Sequence, residues 1–442
     1  MTDLNLSVRE VRIPIAVEEA GRRIVSRWSR PDTVQVSLSD AYGYVLAEPL
    51  VAEHDDPPFD RAVMDGYAIR SQDTELAAHH QPVTCQIVGT LPAGACWPAS
   101  LQKGEAVRIM TGAMLPEGSD AVIPFEEAEI CTQEDSGDQV ARQDDRQEDK
   151  PHELTARTLV IRSPYKAGKH VAGRGSFTSV GSCIAEPGTV ITSGTVAALA
   201  AFGYQQVCVY RPPVVGIMAM GSELLEVNQP LQAGRIRDSN SWMLDSLVQE
   251  QAIFPHRYSS LPDQWDRCVT EVEQAWSEVD ILLMSGGASV GDYDFLPSLL
   301  KYLDTDILFN KVAMRPGSVT TVACGKGDSE GKWIFGLSGN PASCYVGFQL
   351  FVRPLLRHQL GLSDLHLPQT VARLRCSLSS GNAYTRYMRA IVHQEQEGWT
   401  VEPLPVDHPG MVAALAQANA LMIVPPSEEP PEAGDEMTVL WM

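Results

Sequence analysis

Two carboxylates, Asp60 and Asp65, share the run Pro58-Phe59-Asp60-Arg61-Ala62-Val63-Met64-Asp65-Gly66-Tyr67-Ala68. Such side chains accept hydrogen bonds or hold a cation, Pro57-Pro58 stiffen an extended approach, and Gly66 permits backbone angles closed to other residues. The same residues also fit aspartates that only cap turns. Three later segments pair glycine with short polar side chains: Gly221-Ser222-Glu223-Leu224, the run from Ser285-Gly286-Gly287 through Ser289 and Gly291 to Asp294, and Ser338-Gly339-Asn340-Pro341-Ala342-Ser343. Glycine lets backbone amides approach a phosphate, while serine and asparagine supply adaptable hydrogen bonds. Each loop could equally be a plain strand-to-helix turn. Glu223 and Asp294 would repel a phosphate unless a divalent cation lay between, and magnesium reconciles them. Lys311 and Arg315 lead into Pro316-Gly317 and could send two cations toward an anion or form an ordinary surface ion pair.

The elements that must carry these residues follow from periodicity. From Ile15 to Arg30 the apolar positions Val17, Ala20, Ile24, Val25 and Trp28 predict an amphipathic helix, which Pro31-Asp32 ends. Thr33 to Leu38 alternate as a strand, and short β-like runs such as Val83 to Val88 and Ala106 to Met110 predict a β-rich domain. Gly188 to Ser193 reads as a strand leading to a helix cap, with a helix over Val196 to Phe202. After Arg211-Pro212-Pro213 strands and helices alternate: strand Val214 to Met220, helix Trp242 to Gln251, strand Ile281 to Met284, helix Phe295 to Tyr302, strand Trp333 to Leu337, helix Pro341 to Leu356. That rhythm predicts a parallel sheet with helices on both faces, whose loops at the carboxyl ends of the strands bind ligand. Beyond Leu362 the strands Thr370 to Leu378, Tyr387 to His393 and Glu436 to Met442 predict a small all-β domain.

At 442 residues with 44% hydrophobic composition the chain calls for several folded domains. No run of about 18 uncharged apolar residues spans a bilayer, and Met1 to Glu10 lacks a basic region followed by an apolar one, so no membrane partner and a cytoplasmic location are expected. Nine cysteines without a Cys-x-x-Cys pair suggest reduced thiols. A net charge of −22, from 34 basic and 56 acidic residues, argues against nucleic acid as a partner. Glu134 to Glu153, with eight acids and three bases, reads as a solvated loop.

Seven runs in chain order resemble the MoeA family, the molybdopterin molybdenumtransferases that include the E domain of gephyrin. They are the Asp65 segment, Arg108-Ile109-Met110-Thr111-Gly112-Ala113 through Pro116-Glu117-Gly118, Gly221 to Leu224, Asp238-Ser239-Asn240, Ser285 to Asp294, Lys311 to Gly317, and Gly339-Asn340-Pro341. The resemblance implies a four-part, L-shaped, multidomain α/β subunit that forms a homodimer. Its parts would be an elongated α+β domain over 1–57 and 160–208, a β-rich domain over 58–159, a MogA-like doubly wound α/β domain over 209–360, and a C-terminal β-barrel over 361–442. The implied reaction inserts molybdenum from molybdate into adenylylated molybdopterin and releases AMP with Mg2+. A MogA-like adenylyltransferase and an acceptor molybdoenzyme would be partners. Catalytic roles fall to Asp65, Glu223 and Asp294, the last two also holding metal. Substrate contacts fall to Thr111, Gly221, Ser222, Asp238, Asn240, Gly286, Gly287, Ser289, Gly291, Lys311, Arg315, Pro316, Ser338, Asn340 and Arg389. Asp65 and Thr111 would act on the cleft of a second copy, and Arg389 would be an anion contact.

Several motifs depart from the family pattern. Its glycine-glutamate-aspartate motif is here His170-Val171-Ala172-Gly173-Arg174-Gly175-Ser176-Phe177, without either acid. Met220-Gly221-Ser222-Glu223-Leu224 replaces a Thr-Gly-Asp-Glu-Leu form, and an aspartate common after the next strand is replaced near Ser260. Arg315 and Ser318 stand at lysine positions, and Pro409-Gly410-Met411 replaces a Gln-Gly-Ser turn. Arginine keeps the charge but changes a point donor into a planar fork, whereas Met411 has no side-chain donor. These losses leave open an alternative, a divergent paralogue that binds or delivers molybdopterin cofactor without efficient metal insertion.

Overall fold

Three apolar runs, Val215–Ala219, Ile281–Ser285 and Trp333–Leu337, are buried along their whole lengths, the mark of central strands covered on both faces. A computed structural model describes residues 12–132, 157–261, 264–287, 296–405, 408 and 410–442. Chain contacts divide the protein into two compact units. One holds the residues through Glu48, Pro187–Ala197 and Gln205–Met442; the other holds Pro49–Glu186 and Ala198–Tyr204.

In the first unit the three strands lie side by side in a six-stranded sheet, ordered His256–Arg257, Val215–Ala219, Ile281–Ser285, Trp333–Leu337, Thr321–Cys324 and Asp306–Phe309. The first four run parallel. Thr321–Cys324 pairs antiparallel with both its neighbours, so the sheet is mixed rather than wholly parallel as its rhythm predicts. A direct return from Thr321–Cys324 to Trp333–Leu337 needs no crossover helix, which is why alternation alone did not reveal it.

Side chains alternate across the central strands. Val215, Ile217, Ile281, Leu283, Trp333 and Phe335 join a core with Leu244, Leu247 and Val248 of helix Asn240–Gln249 and with Phe348, Phe351 and Leu355. Met218, Leu282, Met284 and Ile334 join another with Cys268, Val272 and Trp276 of helix Trp265–Glu278 and with helix Leu296–Tyr302. The sequence reading lacked the Trp265–Glu278 helix, whose glutamates and polar face dilute its apolar stripe. The opening helix, Val17–Val25, places Ala20 and Ile24 in the first of these cores, and Arg23 Nη1 donates to the Leu308 carbonyl at 2.8 Å. Strand Thr33–Ser37 pairs with Gln206–Tyr210. The expected Gly188 to Ser193 strand contributes one bridge, Val190 to Val45, and the helix after it covers Ser193–Ala201.

Five C-terminal strands close a barrel: Thr385–Glu395, Gly398–Pro403, Gln369–Leu374, Glu436–Trp441, Ala420–Val424, and back to Thr385–Glu395. Alternate residues such as Leu374, Met388, Ala390, Val401, Met422 and Val439 fill it. Met314–Arg315 adds in parallel to its rim, opposite Thr385 and Arg386.

The second unit is β-rich, with a six-stranded sheet ordered Ala121–Pro124, Gly66–Ile69, Glu105–Ile109, Val83–Leu91, Arg157–Ile161 and Glu129–Thr132. Among the described residues no helix is long and apolar enough to cross a membrane.

Candidate functional site

Parallel pairing brings the carboxyl ends of strands Val215–Ala219, Ile281–Ser285 and Trp333–Leu337 to one sheet edge. The loops that follow, with Gly221 and Glu223, Gly286 and Gly287, and Ser338 to Pro341, line one cavity of about 820 Å³. Asp238 and Asn240, at the start of helix Asn240–Gln249, close another side. Asn240 ties its own segment to the ends of the second and third of these strands: its Nδ2 donates to Ser285 Oγ at 2.8 Å and to the Gly339 carbonyl at 2.9 Å. Because a carbonyl accepts only from the amide nitrogen, this partner fixes the side-chain orientation. Asn240 is 7% exposed and its Oδ1 has no partner among the described residues. Asp238 Oδ1 accepts the Ser241 N–H at 3.0 Å. Gly286, at φ 87°, has no room for a side chain, because a Cβ would lie 2.3 Å from the Met220 carbonyl oxygen.

A second cavity, of about 500 Å³, lies where the Arg315-Pro316-Gly317 segment meets the barrel, and Asn340 lines both. Arg315, Arg386 and Arg389 are in its wall, with no acidic residue among the described ones. Arg389 is 1% exposed; its Nη1 donates to the Met411 carbonyl at 2.8 Å and its Nη2 to the His408 carbonyl at 2.9 Å. Its guanidinium thus fixes the turn that presents Gly410 to the larger cavity, while Arg389 also lines the smaller one. Lys311 and Ser222 line neither cavity. The Ser222 carbonyl instead accepts from Arg235, at 2.8 Å from Nη2.

Asp65 and Thr111 belong to the second unit and meet there: Asp65 Oδ1 accepts both the Thr111 N–H and its hydroxyl, each at 2.7 Å. Those donors, the backbone one first, hold the Asp65 carboxyl below the usual aspartate range. Asp60 Oδ1 accepts the Arg174 N–H at 2.7 Å, and Arg174 Nε pairs with Asp55 at 2.7 Å. Gly66 is required by space rather than by an unusual backbone angle, in contrast to the sequence reading. It is absent from the left-handed region, and a Cβ would lie 2.1 Å from the Ile123 carbonyl oxygen on the neighbouring strand.

Ser289, Gly291 and Asp294 lie outside the described residues, as does the acidic run Glu134 to Glu153. Among the described residues no three His, Cys, Asp or Glu side chains gather as a metal site. The described carboxylates in the larger cavity are Glu223 and Asp238. Carboxylates are the ligand type that Mg2+ takes, one or two at a time, with waters and substrate phosphates completing its shell. Cys344, behind Ser285, is an inert thiol, since burial pushes its pKa up to about 12. Sequence reasoning missed Arg386. Arg386 sits in a strand pattern that reads as ordinary barrel, and its only signal was a charge with no assigned partner.

Residues 15–203 match the family described as MoeA N-terminal region (domain I and II), 216–358 the probable molybdopterin binding domain, and 371–441 the MoeA C-terminal region (domain IV). The chain is 38% identical to the molybdopterin molybdenumtransferase of Bacillus subtilis strain 168 over 431 residues, 98% of this chain and 95% of that protein. It is 37% identical to the protein of the same name from Staphylococcus aureus strain MRSA252, over 98% of this chain and 97% of that one. The crystal structure of a molybdopterin biosynthesis MoeA protein from Pyrococcus horikosii superposes with a TM-score of 0.80 at 28% identity, covering 97% of this chain and 99% of that one.

Proposed function

The chain belongs to the MoeA family, and from that premise we propose that it is a molybdopterin molybdenumtransferase, inserting molybdenum from molybdate into adenylylated molybdopterin with release of AMP. One observation carries this reading. Three strand-end loops, two of them tied together by Asn240, line a large cavity, and that cavity shares Asn340 with a smaller, arginine-lined one. The larger accommodates the pterin nucleotide and the smaller a tetrahedral oxyanion, and Asn340 stands where they adjoin.

In this proposal the glycine loops supply amide donors to the phosphates, while Asn240 Oδ1, which has no partner among the described residues, accepts from an N–H of the substrate. Arg315 binds the oxyanion by charge-assisted hydrogen bonds, and Gly410 keeps the turn held by Arg389 close to the nucleotide. Glu223 and Asp238 would hold Mg2+, with Asp294 of the same family pattern as a further ligand; when bound, the cation neutralises phosphate charge. Asp65, with its lowered pKa, remains an anion at neutral pH and is proposed to serve a homodimer's shared site together with Thr111. The four-part division of the chain and a cytoplasmic location belong to the same reading.

The test is AMP release from adenylylated molybdopterin by the full chain, with and without molybdate and magnesium, followed by activation of an apo-molybdoenzyme by the product. Molybdate-stimulated release with an active product is expected. Tight binding without release would overturn the insertase in favour of a cofactor carrier.

A further inference from the structure

Arg386 is a cation to which no family motif gives a task. The Met314–Arg315 strand pairs in parallel with Thr385–Arg386, and the register sets Arg315 directly beside Arg386. Neighbouring strands lie about 4.8 Å apart. Both side chains therefore start from adjacent backbone positions, and both line the 500 Å³ cavity.

Their electrostatic situation is unusual for this chain, in which acids outnumber bases 56 to 34. Several arginines elsewhere are neutralised by acids, as Arg174 is by Asp55, Arg211 by Asp280 and Arg357 by Asp364. Beyond the strand ladder, neither the Arg315 nor the Arg386 side chain has a hydrogen bond or ion pair with any described residue. Arg315 rests instead over the Tyr384 ring, its Cζ 5.8 Å from the centroid. Two adjacent like charges without a counter-ion destabilise each other until an anion enters between them. The third arginine of the wall, Arg389, already donates to two carbonyls. Ser318 in the same wall supplies a hydroxyl where the family pattern has a lysine, so a positive charge missing from one loop is present on the barrel.

We propose that Arg315 and Arg386 form a two-guanidinium clamp for a tetrahedral oxyanion, which makes Arg386 a binding and specificity-determining residue. This rests on the reading given under Proposed function. Two planar forks can each grip a pair of oxygens on one tetrahedral dianion, a geometry that lysine ammonium groups do not impose. The anion is either free molybdate or a phosphate of the diphosphate bridge of the pterin substrate.

The experiment is calorimetric titration of the full-length protein with sodium molybdate and, separately, with adenylylated molybdopterin, for wild type, R386A, R386K and R315A. Loss of one charge-assisted contact predicts affinity about tenfold or more weaker in R386A, with R386K in between. A loss confined to molybdate identifies the free oxyanion, and a loss confined to the pterin identifies its phosphate; either supports the clamp. Both affinities within twofold of wild type in R386A would overturn it. If R386A does not melt like wild type, R386Q carries the comparison under the same criterion. AMP release by wild type is measured in parallel. Release with affinities indifferent to Arg386 overturns the clamp alone, whereas an Arg386-dependent anion site in a protein that releases no AMP overturns the proposed function alone.

Discussion

Asn240→Ala probes the stitch that joins two loops of the larger cavity. It removes two hydrogen bonds, one to Ser285 Oγ and one to the Gly339 carbonyl. Ser285 is 3% exposed and keeps its hydrogen bond with the Cys344 thiol, so losing the Asn240 donor to its oxygen costs about 1–2 kcal/mol. Gly339 is exposed, and water replaces that partner for about 0.5 kcal/mol. Deleting the Oδ1, which has no partner among the described residues, returns about 0.5–1 kcal/mol, leaving a net loss of about 0.5–2 kcal/mol. In a unit of this size that lowers the melting temperature by about 1–5 °C, readable by scanning calorimetry. Asn240→Asp keeps the shape but replaces the donor by an acceptor aimed at a carbonyl. A buried carboxylate so placed has a raised folded-state pKa, so the folded form binds the proton more tightly than the unfolded form. Stability is therefore regained as pH falls from neutral toward about 4. A melting temperature for Asn240→Ala unchanged within 0.5 °C or so, or an Asn240→Asp deficit independent of pH, would refute the stitch.

Thr111→Val removes one of the two donors on Asp65 Oδ1 and should move that carboxyl back toward the ordinary aspartate range in a carbon-detected NMR titration; an unmoved midpoint would show that the hydroxyl contributes nothing. Because the folded-state pKa of Asp65 is lowered, its stabilising contribution is present above the ordinary pKa and is lost as pH falls through the lowered one, and Thr111→Val should shrink that acid-labile part. Gly66→Ala would put a methyl group 2.1 Å from the Ile123 carbonyl oxygen, and separating the two strands should destabilise the β-rich unit by about 2–4 kcal/mol in urea unfolding. A loss under about 0.5 kcal/mol would mean the strands part easily.

The uninterrupted apolar runs Ile281–Ser285 and Trp333–Leu337 made the central strands readable, because a strand buried on both faces has no polar positions to obscure it. The glycines at Gly221, Gly286 and Gly339 then marked where ligand loops leave those strands. The helix Trp265–Glu278 was obscured by its charged face, and the antiparallel Thr321–Cys324 by the absence of a helix before the next strand.

Local composition thus determined element types, family motifs and the edge of the sheet at which chemistry gathers, since each depends on residues close together in the chain. Tertiary structure alone decided which distant groups meet. It fixed Arg389 to carbonyls of the 408–411 turn, left Lys311 outside both cavities, and set Arg386 beside Arg315. Those outcomes depend on strand register and barrel closure, which are long-range packing choices that no neighbouring residue encodes.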